Sequence, residues 1–431
     1  MPEGFVSEIV NPRTKAVTGV FAPNVRRKDH RPMMIVVSKP GRVRVLENPE
    51  NLDDNENDED SEGDSYTNKE DDDSNVILDL SGDKANMICD NGERGLTSIA
   101  VHPDFLETRW VYLYYTRWRE GCKEDAVSGP QNVLVRYTMN TTTLLLENEE
   151  LLLECGFLAG RVHNGGAMVF GTDGYLYLAT GDGSNKASVQ DRTNLHGSLL
   201  RLNDDGSVPD SNPYAKKGNG VPCGKSNGIV VVPPPETNEN EIDAGFIAVA
   251  NGEENDADIY CSEIYSWGFR NPIRMALNHK KSDKNNVLFS ISDVGAQQFE
   301  ELSWAGTDFQ EKNYGWPFME GPCVPNTIDD CPLPSSFDSN VVDPFHYYVH
   351  DSYENGGCVA GSAFVPEGVN WPEEYKHLFM DFILLKIYNL VEDPDAECRE
   401  SCSPPTSRYI NTTCKTPHTH THNSSCICHH S

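Results

Sequence analysis

Basic residues are scarce in this chain. Among its 431 residues, Lys and Arg number 35 and Asp and Glu number 67, which gives a formal net charge of −32. Such a charge repels the phosphates of nucleic acids and the headgroups of anionic lipids, so nucleic-acid binding is excluded. Part of the acidic excess lies in residues 53–73, which contain no aliphatic side chain. Because it lacks aliphatic side chains, we interpret this run as a disordered acidic insertion between two strands. The alternative, a specific calcium-binding acidic segment, is disfavoured because the spacing of the carboxylates has no EF-hand order.

Long apolar stretches are absent as well. No run of 18 apolar residues occurs, which excludes a membrane-spanning helix. The chain opens with MPEGFVSEIV, which lacks the features of a signal peptide. Secretion of this protein would therefore require a start upstream of Met1.

Cysteine, in contrast, is plentiful. The chain has 13 cysteines, which is typical of an oxidising compartment and predicts several disulfides with at least one sulfur left over. Glycosylation sequons at Asn140, Asn411 and Asn423 are compatible with the same location. We therefore expect an extracellular or secretory-pathway protein. A zinc site is the other use of clustered cysteines, but Cys426 and Cys428 with the histidines that follow match no standard zinc module.

Amphipathic helical periodicity is nearly absent, the main exception being residues 142–153. The interpretable segments are short, rich in Val, Ile, Leu and Tyr, and separated by Gly, Asp, Asn and Pro. These predicted strands lie at residues 34–38, 43–46, 110–116, 133–139, 168–170, 175–180, 198–202, 245–250, 287–291 and 385–390. The pattern predicts an all-β fold, and the recurring strand, Gly-Asp turn and strand favours a propeller over a sandwich.

The end of the chain differs in kind. Residues 396–431 are low in aliphatic side chains and biased to Cys, His, Ser and Thr, a composition that cannot bury a core. We expect one propeller domain over residues 1–395 and a largely unpacked tail over residues 396–431.

One histidine stands at the start of a glycine turn. Residues 162–183 read VHNGGAMVFGTDGYLYLATGDG, so that His163 precedes two glycines and a strand. A neutral imidazole held on a rigid turn suits proton abstraction near pH 7. His163 is therefore the first candidate for a catalytic base, although a histidine beside a turn is more often structural.

Four further segments have the composition of loops that could face a common site. They are ERGLTSIAVHPDF from Glu93, LHGSLLRLNDDGSVPDSNPY from Leu195, EIYSWGFRNP from Glu263, and SDVGAQQFEEL with NYGWP within residues 292–317. Together they resemble the glucose/sorbosone dehydrogenase family, soluble sugar dehydrogenases on a six-bladed β-propeller, and their hedgehog-interacting-protein-like relatives. The resemblance covers roughly residues 2–390 and implies pyrroloquinoline quinone (PQQ) held over a calcium ion.

The resemblance also implies residue roles. His163 falls on the base position, and Arg270 with Asn271 falls on a cofactor-contacting pair, where a guanidinium can stabilise developing negative charge. The further cofactor contacts implied are Glu93, Gln190 and Lys386. For the cofactor calcium, the family pattern implies the carbonyls of Gly295 and Ala296. For a second, structural calcium it implies Glu301 and the carbonyl of Tyr314, with Asp293 and Glu300 as alternatives if the register shifts by one.

Three departures from the family pattern stand out. Glu93 occupies the place of a glutamine in catalytic members, where its carboxylate would repel a carboxylated cofactor unless protonated or paired, for example with Arg94. Ile383 stands where sugar dehydrogenases place a cofactor-binding lysine, with Lys386 nearby. The pattern then stops after Asp395, which predicts an incomplete last blade.

Two functions follow from these observations. The first is a calcium- and PQQ-dependent oxidoreductase that oxidises an aldose or related sugar at its anomeric carbon to a lactone and passes electrons to an unknown acceptor. The alternative is a non-catalytic, cysteine-rich extracellular binding protein of the hedgehog-interacting-like type. Glu93, the cysteines and the missing lysine favour the alternative, whereas His163, Arg270 and Asn271 favour the enzyme. A truncated gene product whose intact relative has the function is a third possibility.

Overall fold

The computed structural model describes residues 16–47, 75–81, 87–123, 129–224, 259–321, 341–350, 357–366, 376–384, 386–393 and 426–428. The acidic insertion at 53–73, the predicted strand at 245–250 and the sequons at Asn411 and Asn423 lie outside the described residues. So does nearly all of the tail.

The described residues confirm an all-β fold. They form five four-stranded antiparallel sheets. In each sheet, neighbouring strands follow one another in chain order, as in a meander, and this is the β-propeller arrangement. The strands are β1 (Ala16–Pro23), β2 (Pro32–Ser38), β3 (Arg42–Leu46), β4 (Val76–Asp79), β5 (Leu96–Val101), β6 (Trp110–Arg117), β7 (Gln131–Met139), β8 (Leu146–Phe157), β9 (Gly165–Phe170), β10 (Leu176–Thr180), β11 (Ser198–Leu202), β12 (Gly220–Val221), β13 (Tyr260–Cys261), β14 (Ile264–Trp267), β15 (Pro272–Leu277), β16 (Leu288–Asp293), β17 (Phe299–Gly306), β18 (His346–Val349), β19 (Val359–Phe364), β20 (His377–Asp381), β21 (Lys386–Asp393) and β22 (Cys426–Cys428).

The sheets are β1–β4, β5–β8, β9-β10-β11-β14, β15–β18 and β19–β22, while β12 and β13 form a separate parallel pair. Because five blades are found, the predicted count of six is not confirmed. The described residues also include two short α-helices, α1 (Phe105–Thr108) and α2 (Pro213–Lys217), and three single-turn 3-10 helices. Within the described ranges, no helix has the length and apolarity that a membrane crossing requires.

The chain divides into two compact units, residues 1–157 and 158–431. The first unit contains the sheets β1–β4 and β5–β8 around a core that includes Ile35, Leu113 and Val135. The second contains the other three sheets, with one core around Tyr177 and Phe289 and another around aromatic and aliphatic side chains of β17 to β21.

Central strands of the blades read as continuous apolar runs because both of their faces are buried. In β6, six consecutive residues from Val111 to Thr116 are buried, and all five residues of β10 are buried. Such runs of branched and aromatic side chains are typical of strands covered on both sides. The strands predicted at 110–116, 133–139 and 198–202 are accordingly present as β6, β7 and β11.

The one run with helical periodicity, residues 142–153, is not a helix. Residues from Leu146 onward form β8, which pairs antiparallel with β7 through several irregularities of register. Five successive exposed residues, Glu147–Leu151, lie on this outer strand. The irregular pairing and the one-sided burial explain why the spacing of apolar residues resembles that of a helix.

Among the described residues, one disulfide lies in each unit. Cys89 bonds to Cys122 in the first unit, and Cys223 bonds to Cys261 in the second. Disulfides were predicted from the cysteine count, and these two are consistent with that prediction. Their sequence separations of 33 and 38 residues mean that each closes a long loop.

Candidate active site

His163 lies in the loop between β8 and β9 in the second unit, with a left-handed backbone conformation (φ 60°). Its carbonyl accepts the N–H of Gly183 at 3.0 Å. Gly181 passes so close that a Cβ there would lie 2.1 Å from the His163 carbonyl oxygen. A non-glycine residue in this conformation persists where surrounding contacts hold it. The turn therefore fixes where the imidazole stands.

Asp182 holds the imidazole from one side. Its Oδ1 lies 2.8 Å from His163 Nδ1, and its side chain is 2% exposed. Further donors bind this carboxylate: the N–H of Ser184 at 2.8 Å to Oδ1, and Trp316 Nε1–H at 3.0 Å to Oδ2. Hydrogen bonds of this kind stabilise a buried carboxylate in its charged form. Asp182 lies two residues after the end of β10, so a rigid strand places it.

Arg270 meets the other ring nitrogen. Its Nη2 lies 2.8 Å from His163 Nε2. Because a guanidinium can only donate, Nε2 must be the acceptor and carry no proton. Nδ1 then carries the hydrogen and donates it to Asp182. The arrangement therefore assigns His163 as a neutral imidazole with its lone pair at Nε2.

Two further contacts hold the guanidinium of Arg270. Nη1 donates to the carbonyl of Val294 at 2.8 Å, and Cζ lies 5.5 Å from the centre of the Trp316 ring. Nε is buried and has no hydrogen-bond partner among the residues that the structure describes. A buried donor without a partner is costly. This orphaned N–H fits an acceptor oxygen of a bound molecule.

Asn271 stabilises the turn that carries His163. Its Oδ1 accepts the N–H of Gly165 at 3.0 Å, and the residue is 4% exposed. The backbone N–H groups of Arg270 and Asn271 both donate to Asp293, at 2.9 and 2.6 Å. Desolvation raises the pKa of Asp293 to about 7, although these two N–H groups and the charge of Arg270 oppose the shift. Asp293 thus ties the arginine-bearing loop to the end of β16.

Gln190 holds the loop that carries Trp316. Its amide and that of Asn313 bond reciprocally, at 3.1 and 2.7 Å. Gln190 Nε2 also donates to the Trp316 carbonyl at 2.6 Å. Gln190 therefore stands beside the cluster, with its amide engaged by protein groups. Its predicted contact with a cofactor stays a prediction.

The residues implied for calcium lie near the end of β16 and along β17. Gly295 and Ala296 lie in the turn between these strands. Glu301 is half-buried on β17, opposite Asp293, and accepts the N–H of Gly321. Desolvation, followed by the charge of Asp293, raises the pKa of Glu301 well above its usual range. A cation would favour the charged form of such a carboxylate.

Tyr314 is buried, and its hydroxyl donates to the carbonyl of Trp304 at 2.6 Å. Its ring stacks on Phe269, with 4.1 Å between the ring centres. Burial raises the pKa of the Tyr314 hydroxyl. The side chain is thus a packing element, and any metal contact here would come from the main-chain carbonyl.

Glu300, one of the alternatives to Glu301, has both carboxylate oxygens engaged. Oε1 bonds to His350 Nδ1, and Oε2 accepts the N–H of Val359 at 2.9 Å. The hydrogen bond between His350 Nδ1 and Glu300 raises the pKa of His350. Asp293 is similarly occupied by two backbone N–H groups. The donor chemistry therefore favours Glu301 over both alternatives.

Two predicted cofactor residues, Glu93 and Lys386, are not among the residues whose contacts form this cluster. Glu93 belongs to the first unit, in the turn before β5, and is exposed. Lys386 is exposed at the start of β21, opposite the buried Asp381. The structure assigns neither residue a place in the His163 cluster, and their roles stay predictions.

In the part of the chain that the structure describes, no cluster of side chains is suited by itself to bind a metal ion. The only group of three or more His, Cys, Asp or Glu side chains with ligand atoms within 4.8 Å of one another there is Cys223, Cys261 and Glu263. Its two sulfurs form a disulfide. A calcium site here would therefore depend on main-chain carbonyls, which calcium accepts readily.

Sequence reasoning missed two members of the cluster. Asp182 stands within the quoted motif, as the aspartate of the Gly-Asp-Gly that follows β10. Trp316 stands within NYGWP, 134 residues from the carboxylate that it contacts. A carboxylate in the glycine turn that ends a buried strand was the available signal for Asp182, whereas the Trp316 contact depends on the fold.

Comparison with known proteins bears on this cluster. Residues 29–223 match the family described as Glucose / Sorbosone dehydrogenase. Aldose sugar dehydrogenase YliI of Escherichia coli is 27% identical over 229 residues, 53% of this chain and 47% of that protein. Quinoprotein glucose dehydrogenase B of Acinetobacter calcoaceticus is 26% identical over 250 residues, 54% of this chain and 41% of that protein. Human Hedgehog-interacting protein is 32% identical over 148 residues, 30% of this chain and 20% of that protein.

The chain thus spans less than half the length of each of these relatives. Among solved structures, a glucose dehydrogenase superposes with a TM-score of 0.56 at 19% identity, covering 88% of this chain and 86% of that one. The apo form of the soluble aldose sugar dehydrogenase of Escherichia coli gives 0.54 at 19% identity, covering 84% of this chain and 80% of that one. These likenesses support the fold. The predicted family resemblance is confirmed.

Proposed function

We propose that this chain, whose residues 29–223 match the family described as Glucose / Sorbosone dehydrogenase, is an oxidoreductase that oxidises an aldose or related sugar at its anomeric carbon to a lactone, with PQQ and calcium. The observation that carries the proposal is the chain of contacts from Asp182 through His163 to Arg270, which leaves an unprotonated Nε2. Similarity to a quinoprotein glucose dehydrogenase supports the choice of cofactor.

PQQ, when bound, supplies a quinone that accepts two electrons and a hydrogen as hydride. Arg270 would help to hold it, since its buried Nε–H has no partner in the described part of the chain and can donate to a quinone or carboxylate oxygen. Asn271, Gln190, Lys386 and Glu93 complete the proposed contacts. Glu93 is the least suited of these, because its charge repels a carboxylated cofactor.

The protein's own part is to move a proton. In the structure the one lone pair of His163 Nε2 accepts the Nη2–H of Arg270, so the proposed step requires the guanidinium to release this nitrogen when the sugar binds. The anomeric O–H of the sugar then gives its proton to Nε2, and the C–H bond at the same carbon breaks with its electron pair, so that a C=O bond forms. Loss of the proton makes departure of hydride easier. Asp182 stabilises the imidazolium that results, because its carboxylate lies 2.8 Å from Nδ1.

Calcium would be held by the carbonyls of Gly295 and Ala296, and a second calcium by Glu301 with the carbonyl of Tyr314. Their oxygen donors match what calcium binds. The half-buried Glu301 carboxylate, whose pKa is raised by desolvation and by Asp293, fits a cation beside it.

The alternative function is a binding protein without catalysis. Similarity to Hedgehog-interacting protein over 148 residues supports it, although over a smaller share of the chain than the dehydrogenases match. The two disulfides also suit an extracellular protein of either kind.

The test is a titration of calcium-loaded, full-length protein with PQQ, followed by anaerobic addition of aldoses while the quinone absorbance is recorded. We expect saturable binding and then sugar-dependent bleaching. His163→Asn, which tolerates the left-handed backbone, should bind PQQ but lower the bleaching rate at least about 100-fold. His279→Asn, at an exposed position, is the matched control. Folded protein that binds no PQQ would contradict the enzyme and favour the binding protein.

A further inference from the structure

Glu320 is a buried carboxylate beside the turn between β16 and β17, and it is 2% exposed. Its Oε1 accepts four consecutive backbone N–H groups, at 2.6 Å from Ala296, 2.8 Å from Gln297, 2.9 Å from Gln298 and 3.2 Å from Phe299. Hydrogen bonds to a charged acceptor are stronger than those between neutral groups. This single oxygen therefore fixes the backbone orientation of the whole turn.

The orientation of the N–H groups determines that of the carbonyls. A trans peptide unit is planar, and its C=O points opposite to its N–H. The carbonyl of Gly295 shares a peptide unit with the N–H of Ala296, and the carbonyl of Ala296 shares one with the N–H of Gln297. Both N–H groups point at Glu320. The carbonyls of Gly295 and Ala296 therefore point away from Glu320, in the same general direction.

The turn is also fixed at its other end. Val294 donates its N–H to the carbonyl of Asn271 at 3.2 Å, and its own carbonyl accepts Arg270 Nη1 at 2.8 Å. Gly295 has no room for a side chain, because a Cβ there would lie 1.8 Å from the carbonyl oxygen of Phe299. The turn thus lies between the arginine that contacts His163 and the carboxylate of Glu320.

We propose that Glu320 is a positioning residue that sets the calcium affinity of this turn by aiming the Gly295 and Ala296 carbonyls. The inference rests on the proposed function, which places calcium at these two oxygens. Glu320 acts through the backbone, since Oε1 is already bonded to four N–H groups. Its negative charge behind the turn further favours a cation at the carbonyls.

Glu263 provides a matched control. It too is 2% exposed, and its Oε1 accepts two consecutive N–H groups, from Cys223 and Gly224, each at 2.8 Å. It lies in the second unit beside the Cys223–Cys261 disulfide rather than in the turn. Glu263→Gln therefore removes a similar buried charge without altering the carbonyls of the turn.

The experiment is calorimetric titration of the full-length, cofactor-free protein with calcium chloride. Glu320→Gln keeps the size of the side chain but weakens its acceptor, and we expect calcium to bind about 10- to 100-fold more weakly. Glu263→Gln should bind calcium as the wild type does. Hydrogen exchange without calcium should be faster at the amides of Ala296–Phe299 in Glu320→Gln, a change that a direct metal ligand would not produce.

Failures of the inference and of the proposed function give different results. Wild-type protein that binds no calcium overturns the calcium part of the proposed function, and the inference with it. Wild-type protein that binds calcium while Glu320→Gln binds equally well overturns only the inference. If Glu320→Gln does not fold, Glu320→Asp retains the charge but shortens its reach, and unchanged calcium affinity in that variant also overturns the inference.

Discussion

At the scale of single residues, the tautomer of one imidazole decides what the site can do. A donor on one side of His163 and an acceptor on the other leave one protonation pattern, with hydrogen on Nδ1 and a lone pair on Nε2. Asp182 and Arg270 are therefore as important to a base at this position as the histidine itself.

Asp182→Asn tests this dependence. The amide can donate to Nδ1, which would move the hydrogen to Nε2 and remove the base that faces Arg270. We expect the rate of sugar-dependent reduction of PQQ to fall about 10²- to 10⁴-fold, with PQQ affinity changed by less than about threefold. Single-turnover kinetics with a parallel PQQ titration measure both quantities. A rate within a few-fold of wild type would refute the role of Asp182.

Much of this cluster could be predicted from the sequence, and the part that could not has a physical cause. His163, Arg270 and Asn271 each stand in a short motif with a local signal. Trp316 and Glu320 act through contacts with residues 134 and more than 20 positions away. Nothing in the local sequence of a tryptophan or a glutamate indicates which loop the fold will bring beside it.

At the scale of elements, strands with two buried faces were the easiest to predict, because β6 and β10 contain long runs of apolar and aromatic side chains. The outer strand β8 was misleading, since its exposed stretch breaks the alternation expected of a strand. The fold class therefore follows from the inner strands, whereas the ends of the blades and their number depend on irregular segments.

The sheet formed by β19 to β22 contains a buried histidine that should respond to acid. His377 is 6% exposed and stacks on Phe364, with 4.1 Å between ring centres. Its Nε2 has no hydrogen-bond partner in the ranges that the structure describes. Burial lowers the pKa of His377 from 6.5 to about 3. The unfolded chain therefore binds more protons than the folded one between these two values.

Stability should consequently fall as the pH falls below 6.5. For this group the loss reaches about 2 kcal/mol at pH 5. His377→Phe removes the titrating ring while keeping the stack, and should flatten the dependence of unfolding free energy on pH between 6.5 and 4. Urea unfolding at several pH values measures this, with the exposed His279→Phe as control. An unchanged slope in His377→Phe would contradict the prediction.

At the scale of the whole molecule, each of the two compact units has its own disulfide, and both close loops of more than 30 residues. Cross-links of this length mainly restrict the unfolded chain. The cysteine content therefore contributes to stability in both parts of the molecule, which agrees with the predicted oxidising compartment.

Replacing Cys223 and Cys261 together with alanine should lower the free energy of unfolding by about 2–4 kcal/mol. The pair Cys89 and Cys122 should give a similar loss, because the two loops have nearly the same length. Unfolding followed by fluorescence, with and without a thiol reductant, measures both effects. Wild-type protein whose unfolding is unaffected by the reductant would refute the contribution.

The close approach at Gly181 makes a residue without reactive atoms necessary for the geometry of the site. Any side chain there would meet the carbonyl oxygen of His163, which a Cβ would approach to 2.1 Å. The imidazole would then be displaced from both Asp182 and Arg270. In a map of tolerated substitutions, position 181 would consequently be as intolerant as position 163, and a reader of that map alone would mistake a spatial constraint for chemistry.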